Sequence, residues 1–232
     1  MRLIALILSV FVIAACDVPS PGGTTVGESA LTPQEAAQSF ADVVSAVEPV
    51  AESECRRRAP RLNCDFRIVV DSDKRAPANA FQSVDKSGRP IITFTVALIA
   101  SARNADELAF VMSHEAAHHI RNHLLRQRQN AEAGAVVFGS LATLTGGTNA
   151  DVETAQRLGA AVGARSYSKE FELEADELGT IITARAGYNP LIGAGFFSRI
   201  PDPGDQFLGT HPPNAQRIEI VRQTAKSLGL NS

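Results

Sequence analysis

Tryptophan is missing from this 232-residue chain, tyrosine and methionine occur twice each, and cysteine only three times. The cysteines stand at positions 16, 55 and 64, without the close pairing of a thiolate metal site, which argues against a Cys-based zinc centre. A surplus of positive charge is also missing: 22 Lys and Arg stand against 25 Asp and Glu, for a net charge of -3 and a pI near 6.0. The one basic run, CRRRAPR from Cys55 to Arg61, holds no aromatic residue on which a base could stack, so nucleic acid is not an expected partner. No internal repeat is visible, which excludes a solenoid. What remains is 44% hydrophobic and 20% charged residues with 17 Gly and 12 Pro, the make-up of a globular chain. Its length suits one well-cored domain, expected over residues 31–232.

The first fifteen residues, MRLIALILSVFVIAA, carry one Arg and then an apolar run too short for a membrane span but suited to a signal peptide. IAAC follows the lipobox pattern of a branched aliphatic, two small residues and a cysteine. Residues 1–15 are therefore expected to be a lipoprotein signal peptide, with Cys16 the acylated first residue of the mature chain. Residues 16–30, rich in Pro, Gly, Ser and Thr, are expected to form a flexible tether. This places the protein in the bacterial cell envelope as a periplasm-facing lipoprotein, lipid-anchored to the inner or outer membrane. With Cys16 acylated, Cys55 and Cys64 remain as an even pair that an oxidising compartment would join.

TPQE at Thr32–Glu35 is a capping box with Pro33 at the first helical position, opening a helix that Pro49 is expected to end or kink. FRIVV (Phe66–Val70) and PIITFTV (Pro90–Val96) read as strands of a small sheet, with Pro90 suggesting that the second is an edge strand. Asn104, with Glu107 three residues on, caps a helix whose periodicity runs to about Gln129. Ala133–Gly147 is apolar and rich in small residues but too short to span a bilayer, and is expected to pack as a buried helical hairpin rather than touch a membrane. A further helix is expected from Ser168 to Ala186, closed by Gly187. The class is α+β and mainly helical.

Four of the five histidines fall within SHEAAHHIRNH, residues 113–123. At about 100° per residue, with His114 at zero, His118 lies at about 40°, Glu115 at about 100°, His119 at about 140° and His123 at about 180°. Only His114 and His118 share a face one turn apart, so the motif is His-Glu-x-x-His: two imidazoles for one zinc ion and, in Glu115, a carboxylate beside them as general base. His119 and His123 are assigned to helix surface or packing.

A catalytic zinc keeps three protein ligands and an open position. In SYSKEFELEADELG, Ser168, Ala175, Asp176 and Gly179 lie within about 60° of Glu172, while Glu170, Glu174 and Glu177 point elsewhere. Small Ala175 and Gly179 let a second helix approach, which makes Glu172 the third ligand. Asp176 is one turn on and placed to accept the spare N–H of a ligating histidine.

NAF (79–81), DELAFVMSHEAAHHIRNH (106–123), SKEFELEAD (168–176), AGYNP (186–190) and THPPNAQRI (210–218) occur here in one order. In that order they resemble the gluzincin metallopeptidases that include the CAAX prenyl endopeptidases, HtpX and BepA-like periplasmic proteases. The resemblance implies a zincin-like domain, Glu172 as zinc ligand and His211 near the metal, as oxyanion stabiliser or fourth ligand, with Tyr167 a second candidate for the oxyanion. Lys169 departs from the usual arginine and His119 from the usual aliphatic residue; neither touches the ligand set.

The expected function is that of an envelope zinc endopeptidase with one Zn2+ per chain, hydrolysing unfolded or mis-assembled envelope proteins bound as an added strand along Ile91–Val96. The alternative is a chaperone-like binding or assembly lipoprotein with a latent zinc site gated by an envelope partner.

Overall fold

The computed structural model describes residues 32–166, 168–202 and 211–230. The expected signal peptide, Cys16 and the tether lie outside them, as does Tyr167. The fold is α+β and mainly helical, with eight α-helices and one three-stranded sheet among the described residues.

α1 (Pro33–Arg58) opens on the Thr32 capping box, in which the Glu35 amide donates to the Thr32 hydroxyl and the Thr32 amide to the Glu35 carboxylate. It runs through Pro49 rather than ending there. Proline removes one amide donor, but Pro49 and Ser45 are both exposed, so the freed Ser45 carbonyl faces water. Meanwhile Val43, Val47, Ala51 and Cys55 bury one continuous stripe on either side of it. Cys55 at the end of α1 is joined to Cys64 in a disulfide, with Cα atoms 5.6 Å apart.

The strands are β1 (Arg67–Asp71), β2 (Ala80–Val84) and β3 (Pro90–Thr95), in the order β1-β3-β2. β3 pairs parallel with β1 and antiparallel with β2, so it is the central strand and not an edge. Pro90 is tolerated because it is the first residue of the strand, where a missing donor costs least. The edge strand beside the site is β2, whose mixed sequence AFQSV carries little strand signal. Thr95 ends β3 and caps α2 (Val96–Ser101) by accepting from the Leu98 amide.

α3 (Ala105–Ile120) starts at Asn104, whose side chain accepts from the Glu107 amide. It stops at Ile120 instead of reaching Gln129. Asn122 has φ 56°, the left-handed conformation that asparagine tolerates better than most residues, and α4 (His123–Leu144) leaves on a new axis. α5 (Asn149–Ser166) returns against α4. Gly134, Gly159 and Gly163 line the seam so closely that the facing backbone leaves no room for a Cβ at any of them. The segment 133–147 thus forms one arm and the tip of a helical hairpin, but it is not buried as a whole: Val136, Val137, Leu141 and Leu144 are exposed on α4. No helix among the described residues is long and apolar enough to cross a membrane.

α6 (Ser168–Arg185) ends in Gly187, at φ 87°. α7 (Pro190–Gly193), a 3-10 turn at Ala194–Ser198 and α8 (Asn214–Ser227) follow among the described residues. The main core lies between α1, β3, α3 and α6. Phe40 of α1 meets Phe94 of β3 edge-on at 5.0 Å, and Leu108 and Met112 of α3 lie with Leu178 and Ile182 of α6 in the same buried cluster. Each such side chain contributes about 1.5–3 kcal/mol by leaving water. This core fixes α3 against α6, the two helices that carry the polar site.

Candidate metal centre

Three side chains converge where α3 crosses α6. His114 Nε2 and His118 Nε2 are 3.0 Å apart, one helical turn from each other on the same face. Glu172 of α6 reaches both, with Oε2 3.5 Å from His114 Nε2 and Oε1 3.3 Å from His118 Nε2. One ligand atom from each residue lies within 4.8 Å of the others. Two imidazole nitrogens and a carboxylate at this separation are a zinc donor set, and the site passes a further test: the spare nitrogens of both histidines are already engaged, which points the remaining pair at a common centre. Gly179, one turn beyond Ala175, makes the approach possible; a Cβ there would lie 3.1 Å from both Cα and N of His114.

Asp176 is fully buried and supports His114: its Oδ1 accepts from His114 Nδ1 at 2.9 Å. Arg217 of α8 grips the same carboxylate with Nε on Oδ2 at 2.7 Å and Nη2 on Oδ1 at 2.8 Å. The guanidinium also lies over the Phe197 ring at 3.9 Å and puts Nη2 3.4 Å from Glu172 Oε2. Burial alone would lower the His114 imidazole, but Asp176 and Glu172 outweigh it and raise it to about 10. Glu172 moves well below the ordinary carboxylate value: burial opposes the shift, and the two histidines overcome it. The raised histidine and the lowered glutamate record mutual attraction: the Asp176 and Glu172 carboxylates favour a positive charge beside them.

Arg217 carries no role in the sequence reading, although a signal exists. On α8 it falls on the buried stripe of Asn214, Val221, Thr224 and Ala225, where an arginine has no reason to be unless it meets a buried acid.

The second support chain was also missed. His123 is buried, not on the surface, and its Nδ1 lies 2.9 Å from Nδ1 of His118. Its Nε2 is 3.1 Å from Glu174 Oε2, and Arg126 holds that carboxylate at 2.6 and 3.1 Å. The His123 ring stacks on Phe171 at 4.6 Å. Burial, then the neighbouring His118, lower this imidazole to about 4, so it is neutral at pH 7. A wheel drawn through an unbroken helix puts His123 opposite His114; the turn at Asn122 swings it back. His119 does point away, with Nε2 2.8 Å from the Asn63 carbonyl and its ring edge-on to Phe66.

The site opens into a cavity of about 710 Å³. Asn79, Phe81 and Gln82 of the β2 edge line one wall, and Phe196, Phe197 and Ile200 another. Glu115 faces the cavity beside the cluster; burial raises its carboxyl, with His114 and His118 opposing. His211 is half-exposed at the cavity mouth, with Nε2 4.0 Å from Glu172 Oε2.

A helix bearing His-Glu-x-x-His and a glutamate from a second helix define a metallopeptidase centre of the gluzincin kind. The chain belongs to peptidase family M48, whose model matches residues 37–225. It is 32% identical over 185 residues to a putative beta-barrel assembly-enhancing protease of Vibrio cholerae, covering 71% of this chain and 38% of that one. It is 29% identical over 167 residues to a mitochondrial metalloendopeptidase of Saccharomyces cerevisiae, covering 66% of this chain and 45% of that one. The beta-barrel assembly-enhancing protease of Escherichia coli is 26% identical over 145 residues, 57% of this chain and 30% of its own. The chain thus spans less than half the length of these relatives.

Proposed function

We propose that the protein is a zinc-dependent endopeptidase of the bacterial cell envelope that cleaves unfolded or mis-assembled polypeptides. The observation that carries this is the placement of Glu115 in the cavity beside His114, His118 and Glu172. A zinc ion held by those three residues would polarise a peptide carbonyl and bring water within reach of deprotonation near neutral pH. Glu115 then takes the proton from the attacking water and delivers it to the leaving amine. Its raised carboxyl is suited to both halves of that transfer. His211, at the mouth, is placed to donate to the carbonyl oxygen as it gains charge.

Substrate binding is assigned to the edge of β2 that no other strand joins among the described residues. That strand is bonded on one side to β3, and Phe81 and Gln82 line the cavity wall, so an extended peptide added to it would pass the metal centre. Backbone pairing reads shape more than sequence, which fits unfolded substrates. The names of the bacterial relatives support an envelope setting, with the lipid anchor at Cys16 as the means of attachment.

The test is Glu115→Gln. The variant is expected to keep its zinc and lose cleavage of an unfolded protein by about 10²–10⁴-fold. Retained cleavage would refute the mechanism. The exposed apolar residues on α4 favour a second reading, a chaperone-like assembly factor with a latent site. Binding of unfolded protein by the zinc-loaded wild type, without chelator-sensitive cleavage, would select it.

A further inference from the structure

We infer that His123 is a positioning residue for the metal centre: it fixes the tautomer and ring plane of His118 through a relay that ends on Glu174 and Arg126. This rests on the zinc reading above and adds a residue to it.

The hydrogen-bond directions follow from donor and acceptor counting. His118 turns Nε2 toward His114 and Glu172, so that nitrogen must present its lone pair to a metal. With Nε2 turned to the metal, the ring proton of His118 is on Nδ1, which faces Nδ1 of His123 at 2.9 Å. His123 can accept there only if its own proton is on Nε2. That nitrogen faces Glu174 Oε2 at 3.1 Å, a carboxylate that can only accept. Arg126, a permanent donor, closes the chain on both oxygens of Glu174. Every donor in the series meets an acceptor, and reversing one link leaves two protons facing each other. His123 cannot rotate away, because its ring is buried and stacked on Phe171, with Arg126 4.3 Å from the same Phe171 ring on which it packs.

The two histidine ligands are therefore supported differently. His114 donates directly to a buried aspartate, Asp176, whereas His118 reaches its carboxylate through an intervening imidazole. The left-handed Asn122 makes this possible, since a continuous helix would carry His123 to the far side.

Zinc affinity, measured by competition with a chromogenic chelator on the full chain, tests the relay. His123→Phe keeps ring size and the stack on Phe171 but has no nitrogen to accept from His118. It is expected to weaken zinc binding by about 10–100-fold, the usual cost of losing a ligand's hydrogen-bond partner. His123→Asn fills less space but sets an acceptor oxygen near the position of Nδ1, and is expected to recover most of that affinity. A mere packing role reverses the order, with Phe tolerated and Asn impaired; that result, or wild-type affinity in the Phe variant, overturns the inference. If His123→Phe fails to fold by circular dichroism of the metal-free protein, Glu174→Ala decides: weaker zinc binding supports the relay and unchanged binding refutes it. Failure of the wild type to bind zinc is a separate result that removes the metal centre itself.

Discussion

Gly179 of α6 lies directly against His114 of α3: a methyl group on its Cα would sit 3.1 Å from both the Cα and the amide nitrogen of the histidine. The distance between Glu172 and the histidine pair is therefore set by the absence of a side chain two turns further along α6.

Gly179→Ala tests that dependence. Overpacking costs about 1–3 kcal/mol, and the better helix propensity of alanine returns about 1 kcal/mol. Net stability is expected to fall by no more than about 2 kcal/mol, while zinc affinity falls more steeply because α6 carries a ligand and must retreat from α3. Denaturant melts and zinc titration on one sample separate the two effects; unchanged zinc affinity would show that the close crossing is not needed.

Arg217 and Asp176 form a buried pair, 5% and 0% exposed. Removing one member leaves an uncompensated charge, so Arg217→Met is expected to destabilise the metal-free protein by about 3–5 kcal/mol. Arg217→Lys is expected to restore little, because a single ammonium cannot meet both carboxylate oxygens and the Phe197 face together. A urea unfolding series is the measurement, and a loss below about 1 kcal/mol for Met would show that Asp176 is satisfied by His114 alone.

At the other end of the core, Glu54 is buried beneath Arg57, Arg58 and Arg185. Burial pushes its carboxyl up, but the arginines outweigh burial and hold it below its ordinary value of 4.5. A carboxylate with a depressed folded pKa adds stability above the unfolded value and loses it as pH falls below that value. The unfolding midpoint of the wild type is expected to drop as pH is lowered from about 5 toward 3, and Glu54→Gln, less stable at pH 7, is expected to show a shallower drop. Parallel profiles would mean that other acids carry the pH dependence.

The parts of the fold visible in the sequence are those set by local periodicity and capping. The Thr32 box, the Asn104 cap and the Gly187 stop each specify a helix end through neighbours within four residues, and the structure has them. Convergence of His114, His118 and Glu172 was equally legible, because each pair or partner lies on a regular helix where angle predicts face. What failed depended on breaks in regularity or on pairing across the chain. One left-handed residue, Asn122, invalidates every helical angle beyond it, which hid His123. The central place of β3 depends on which strands join it, and β2, with one β-branched residue against three in β1, does not announce itself. Arg217 depends on α8 docking 41 residues away in sequence from Asp176.

His119 stands between two zinc-site residues in sequence and away from them in space. It is buried, with Nε2 against the Asn63 carbonyl at 2.8 Å and its ring edge-on to Phe66 at 5.5 Å. It therefore fastens the end of α3 to the loop that the Cys55–Cys64 disulfide closes. Burial lowers this imidazole below its ordinary value, so at pH 7 it is neutral, with an N–H free to donate to that carbonyl. His119→Ala removes the donor and the buried ring packed edge-on to Phe66, at a cost of about 0.5–3 kcal/mol in stability. Zinc affinity is expected to stay at the wild-type level, in contrast to His118→Ala, which removes a ligand. Loss of zinc from a folded His119→Ala variant would mean that the two faces of α3 are coupled, and that the packing side of the helix also sets the metal geometry.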